Sequence, residues 1–211
     1  MKSNFDFLDN EFPVLAQFGK RAELYLYSDS NSCLMKLGMI GETVVNLMFT
    51  YDRITLPAEN TAVNRIAVLF REGLLTQDLV DILHALRKVR NKAVHENYAS
   101  VVDGKVLLQM AHSLCEWFMQ TYGDWNYKNK PFVLPANLPV EVSTDTGAEQ
   151  EHEKQLSKEA EEKAAASDSV AKEKRRQQAA KAASQRQKTE VETRYMIDQQ
   201  LRQVGWEADT E

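Results

Sequence analysis

Apolar positions recur at helical spacing through the first 125 residues, and no run there alternates in the manner of a strand. Phe12, Leu15, Phe18, Ala22 and Tyr25 share one face of a first helix, with Asp9 as candidate cap and Pro13 in its early turns. Ser30 or Ser32 opens a second, which runs through Leu34, Leu37, Ile40, Val44 and Met48 to about Phe49. Gly38 and Gly41 lie inside it, where each costs about 1 kcal/mol relative to alanine, so both point to close packing against a neighbour. Pro57 breaks the chain after it. A third helix covers about Thr61 to Arg71, with Val63, Ile66, Ala67 and Phe70 expected inward and Gly73 ending it. A fourth starts near Thr76 and turns Leu79, Leu83, Leu86 and Ala93 to the core. A fifth follows a cap at Asp103 and buries Val106, Met110, Ser113, Trp117 and Phe118 or Thr121 before Tyr122-Gly123. The expected fold class is all-α, a bundle of about five helices over residues 1–125.

Residues 126–149 read differently. Pro131 and Pro135 bracket Phe132-Val133-Leu134, which predicts an extended segment lying back along the bundle. Residues 150–190 form a charged linker rich in Ala, Glu, Lys and Gln. Over 150–192 there are 10 basic and 9 acidic side chains, no aromatic residue, and only Leu156, Val170 and Val191 as larger aliphatics. Such a stretch lacks the surface to fold alone, yet favours helix, so a solvated helical linker is expected, with pairs such as Glu159/Lys163 at i,i+4. Within 191–211, Val191, Tyr195, Met196, Ile197, Leu201 and Val204 restore an amphipathic helix closed by Gly205 and followed by Trp206. Its apolar face finds no partner in the linker, and the expectation is the first helix of a further domain.

Charge narrows the function classes. With 26 basic and 31 acidic residues the chain carries −5, which excludes a strongly basic protein that coats nucleic acid along its length. Cys33 and Cys115 sit in apolar helical patterns without zinc-ligand spacing and suit a reducing cytosol. The start, MKSNFDFLDNEF, is not a signal peptide, and no uninterrupted apolar run reaches membrane-span length, so a soluble cytoplasmic protein with no membrane partner is expected. Phosphate-loop, GxGxxG, HExxH, G-x-S-x-G and calcium-loop motifs are absent, and no cofactor or metal site is expected here. Glu23, Glu42 and Glu116 supply carboxylates but no metal-ligand spacing.

The densest chemical candidate is the stretch from His84 to Glu96. Arg87, Lys88, Arg90 and Lys92 place four basic residues within six positions of an acidic chain, which makes them nucleic-acid-binding candidates. Arg87, Asn91 and His95 share a helix face, whereas Arg90 and His95 lie about 140° apart, so a partner chain or a helix irregularity is needed to bring those two together. If they meet on RNA, His95 takes the ribose 2′-hydroxyl proton, Arg90 neutralises the phosphorane and Asn91 orients phosphate or imidazole, without a metal. The structural alternative is a capped basic helix end in which Arg90 and His95 pair with Asp81 or Glu96. The later run Lys172, Lys174, Arg175, Arg176, Lys181, Arg186 and Lys188 is another basic stretch, read as part of the solvated linker.

Three segments, Ser3-Asn4-Phe5-Asp6-Phe7-Leu8, Leu86 through Glu96, and Pro131-Phe132-Val133-Leu134-Pro135, resemble the amino-terminal helical region of EcoEI-like type I restriction enzyme R subunits (HsdR). Residues 192–211, with a helix followed by Gly205-Trp206-Glu207, resemble the opening of the nuclease domain that follows in such subunits. The resemblance implies an ATP- and Mg-dependent DNA translocase and endonuclease as the parent, working on DNA with methylation and specificity subunits. It places the ATPase and DNase residues downstream of this chain. The helical region also resembles the HEPN class, whose RNase members use an arginine, a following polar residue and a histidine, often across a dimer. Arg90, Asn91 and His95 match that pattern. The resemblance therefore implies an accessory domain of the R subunit, with a metal-independent RNase acting as a homodimer as the alternative.

Overall fold

The computed structural model describes residues 2–137, 147–167, 172–186 and 189–203, and among these every regular element is a helix, with no strand. A 3-10 turn over Asp6–Leu8 leads into α1 (Pro13–Ser28), α2 (Ser30–Tyr51), α3 (Ala62–Arg71), α4 (Gln77–Glu96) and α5 (Val101–Tyr122). Three further helices follow, α6 (Gly147–Ala165), α7 (Lys172–Gln185) and α8 (Glu190–Gln203). All-α architecture is thus the observed class. Val204, Gly205 and Trp206, part of the expected final helix and its closure, lie outside the described residues.

Local chemistry sets the helix ends. Pro13 occupies the first turn of α1, where its missing N–H is no loss. Asp9 does not cap that helix; its carboxylate instead receives Lys20 at 2.7 Å. Asp29 caps α2 by accepting the Ser32 N–H, Thr61 caps α3, and Ser100, rather than Asp103, caps α5. Asn97 closes α4 in the left-handed conformation, φ +50°, and Asn31 donates to the carbonyls of Ala93 and Tyr98 at 2.9 and 2.8 Å.

α2 is the central element. By length and composition it could cross a membrane, yet 67% of its apolar window is buried among α1, α3, α4, α5 and α6. Gly38 and Gly41 let α4 approach it: a methyl at Gly38 would overlap Arg90 Cβ, and one at Gly41 would sit 3.4 Å from Leu86 Cβ. The inward set of α1 and of α4 is buried as the spacing requires. α3 differs from expectation. Only Ile66 and Leu69 are buried there, while Val63, Ala67 and Phe70 face outward, because this ten-residue helix packs chiefly against α2 and α4.

The extended segment lies back along the bundle. Asn4 acts on it as a strand neighbour would, accepting from Val133 N–H and donating to Val133 C=O, both at 2.8 Å. Tyr27 OH donates to the Pro135 carbonyl at 3.0 Å.

The charged segment is helical but not simply solvated, which corrects the sequence expectation. α6 rests on α1 and α2 through Ala160 and Ala164, and α7 rests on α5 through Ala179 and Ala182. Small side chains allow close approach, and three ion pairs with side chains under a tenth exposed replace the missing large aliphatics. Lys36 reaches both Glu153 carboxylate oxygens at 2.8 Å. Arg175 donates to Asp52 Oδ1 at 2.7 Å and to the Tyr51 carbonyl at 2.9 Å, while Tyr122 OH occupies Asp52 Oδ2 at 2.7 Å. Arg186 meets Glu192 at 2.5 Å and ties α8 to the end of α7. Trp117 Nε1 donates to the Ala179 carbonyl at 3.1 Å. On α8, Tyr195 and Met196 pack against the core, whereas Val191 and Ile197 are exposed.

Breaking a buried pair on one side leaves the other charge stranded, so Arg175→Met is expected to cost about 3 kcal/mol. Lys163→Met removes a half-exposed contact with Glu11 and is expected to cost under about 1 kcal/mol. Urea unfolding followed by helicity and tryptophan fluorescence checks both. Equal, small losses would show that α7 is not held by its buried charge.

Candidate functional site

The basic stretch occupies the C-terminal half of α4. Val89 and Ala93 anchor it in the core, leaving Arg87, Lys88 and Arg90 half-buried and Asn91, Lys92 and His95 exposed. Lys92 lies over the Tyr98 ring at 5.5 Å.

Between α2, α3 and α4 runs a groove of about 320 Å³. Arg87, Arg90 and Asn91 line one side, Glu42 and Asn46 the α2 side, and Arg65 comes from α3. Arg90 Nη1 stands 3.2 Å from Glu42 Oε2, so its partner is neither Asp81 nor Glu96, as the structural alternative had it. Asp81 instead accepts from Gln77 at 2.8 Å. Arg65 is oriented by neutral amides, donating to Asn60 Oδ1 at 2.6 Å and to Asn46 Oδ1. Arg87 Nε is shielded from solvent without an acceptor, which costs about 1–3 kcal/mol relative to a satisfied donor. The local field is positive. Burial first, then the charges of Arg87 and Lys88, hold His84 below the usual imidazole range, and Lys88 is lowered by burial and Arg87.

The groove brings Arg87, Arg90 and Asn91 together and leaves His95 outside its lining. Lys88 and Lys92 are also absent from it and look outward on α4. Arg65 was missed in the sequence because it stands 22 residues from the nearest member of the basic stretch; only its spacing four residues before the buried Leu69, beside Ile66, places it on the inner side of α3. The three arginines of the later basic run are committed elsewhere: Arg175, Arg176 and Arg186 pair with Asp52, Glu72 and Glu192.

A second cavity, about 890 Å³, lies between the extended segment, the amino-terminal turn and α1. His112 borders it, ringed by Phe5, Phe7 and Phe132 with centroids 5.5 to 5.8 Å away. Burial pushes His112 down to about 4. Its neighbour Glu116, with Oε2 3.8 Å from His112 Nδ1, is pushed up to about 7 by burial, although it accepts the Lys130 N–H at 2.6 Å. Cys33 and Cys115 are buried free thiols, Cys33 raised to about 12 by burial. Among the described residues no three His, Cys, Asp or Glu side chains are placed to hold a metal ion.

Residues 20–166, well over half of the chain, match the family model described as Domain of unknown function (DUF4145). The chain belongs to that family. This DUF4145 chain is also 29% identical, over 261 aligned positions, to the type I restriction enzyme EcoKI endonuclease subunit of Escherichia coli (strain K12). That alignment takes in 99% of the chain but only 22% of the relative's length. No solved structure matches it.

Two outcomes test this geometry. Gly38→Ala is expected to cost about 1–3 kcal/mol by forcing Arg90 off α2, whereas Gly41→Ala is expected to be neutral or mildly stabilising. Thermal unfolding of the two variants separates them. For Glu116, whose folded value of about 7 lies above its ordinary 4.5, stability is fully present below about pH 4.5 and lost as pH rises through 7. His112, folded near 4 against 6.5, works the other way and loses stability as pH falls from 6.5 toward 4. Glu116→Gln keeps the acceptor for Lys130 and removes the titration. Its stability relative to the parent is expected to climb by roughly 3 kcal/mol between pH 4.5 and 7 and stay level above that, in denaturation measured across pH. A pH-independent difference would contradict the assignment.

Proposed function

We propose that this chain is an accessory helical module of the endonuclease subunit of a type I restriction-modification system, HEPN-like in its bundle, acting in the cytoplasm and positioning DNA along α4. The observation that carries the reading is the alignment of 99% of the chain with 22% of the length of the EcoKI endonuclease subunit. The basic side of α4 supports the nucleic-acid part: Arg87, Lys88, Arg90 and Lys92 concentrate positive charge on a protein of net charge −5. Lysines that look outward suit phosphate backbone, since they give affinity without reading bases. ATP and Mg, and the methylation and specificity subunits, belong under this reading to the longer protein that the relative represents.

The RNase alternative has weaker support. Arg90 and Asn91 share the groove, but His95 is exposed outside it, so catalysis by Arg90, Asn91 and His95 requires a second copy of the chain to supply one of them. His95 is free for that purpose on the open face of α4.

Fluorescence anisotropy with a labelled duplex, a matched single strand and a matched RNA tests the main reading. Expected is binding that weakens steeply with salt, with the slope of log affinity against log salt reduced by roughly 2 in a Lys88→Gln/Lys92→Gln variant. Salt-insensitive or unchanged binding would shift the role of α4 to a protein partner. The same samples incubated in EDTA read out the alternative: RNA cut without metal, abolished by His95→Ala and rising with protein concentration, would replace the accessory reading with the nuclease one.

A further inference from the structure

We propose that the groove between α2, α3 and α4 is a binding site for a phosphate ester, with Arg65 and Arg87 as its anion-holding residues. The inference rests on the reading of α4 as the nucleic-acid side and deepens it. Three guanidiniums from two helices line one cavity, and a single carboxylate, Glu42, stands among them. Arg65 is held by the side-chain oxygens of Asn46 and Asn60, which fix its plane and leave its charge uncompensated. Arg87 has a shielded Nε with no acceptor among the described residues. A buried donor without a partner, an immobilised guanidinium and a cavity bordering both describe an arrangement completed by an anion.

The rest of the lining sets the ligand class. Val45, Ile66 and Leu83 add apolar surface beside the charges, and about 320 Å³ is at the small end of ligand sites, the scale of one nucleotide rather than of a duplex. A phosphate carried on a sugar and base fits both surfaces. Free nucleoside monophosphate and the phosphorylated end of a single strand share that chemistry. Glu42 acts as an internal competitor: an incoming phosphate takes over Arg90, so Glu42 opposes binding while the site is empty.

Titration calorimetry with inorganic phosphate, AMP, and a hexanucleotide with or without a 5′-phosphate tests the site. Arg65→Gln is expected to weaken AMP or 5′-phosphorylated strand binding at least tenfold. Glu42→Gln, on a half-exposed position that does not threaten folding, is expected to tighten it several-fold. AMP binding as tight as the phosphorylated strand would identify free nucleotide as the source; a preference for the strand of tenfold or more over its 5′-hydroxyl form would identify the strand end. Lys88→Gln/Lys92→Gln, at positions outside the groove lining, is expected to leave AMP binding unchanged, so loss of salt-dependent DNA binding and loss of the groove are distinguishable. Affinity unchanged by both Arg65→Gln and Glu42→Gln, with helicity intact, or no dependence on the phosphate in any probe, would overturn the proposal.

Discussion

The structure depends on the need to cover α2 on nearly every side. Its apolar positions, from Leu34 and Leu37 through Ile40, Val44, Leu47 and Met48, leave little polar surface to turn to water, so it lies stable only when surrounded. α1, α4 and α5 cover most of it, and α6 completes the enclosure with alanines and the Lys36–Glu153 pair. The glycines that admit α4 have a functional consequence. Because Gly38 lets the stem of Arg90 lie against α2, the guanidinium emerges at the groove beside Glu42 rather than at the outer edge of the helix.

Much of the bundle was legible in the residues because each inner face repeats at helical spacing and each break carries proline, glycine or a capping side chain. Phe12 through Tyr25 and Leu79 through Ala93 needed nothing more. α3 misled because it is apolar on two sides, and Ile66 and Leu69 win the core by where α2 and α4 happen to stand. The charged segment misled for a different reason. Composition says that it has no large aliphatics; it does not say that Arg175 will find Asp52 and Tyr51 some 120 residues away. Long-range charge pairing leaves no periodic trace in a sequence.

The candidate site shows the same division. Arg87, Lys88, Arg90 and Lys92 announce themselves by density, and Asn91 and His95 by spacing from them. What spacing along one helix does not give is the facing wall. Glu42, Asn46 and Arg65 join the groove only through packing of three helices, whereas the separation of Arg90 from His95 already follows from their spacing on α4.

The buried pairs of α6 and α7 work as a register. Isolated burial of charge is weak as a source of stability, but a slide of α7 by one helical turn, about 5.4 Å, would leave Arg175 inside without Asp52 and Trp117 Nε1 without the Ala179 carbonyl. An alanine stripe alone would tolerate such slippage, since one alanine packs much like the next. The charges make the seating discrete, so α8, tied to the end of α7 by Arg186 and Glu192, meets α5 from one fixed starting place.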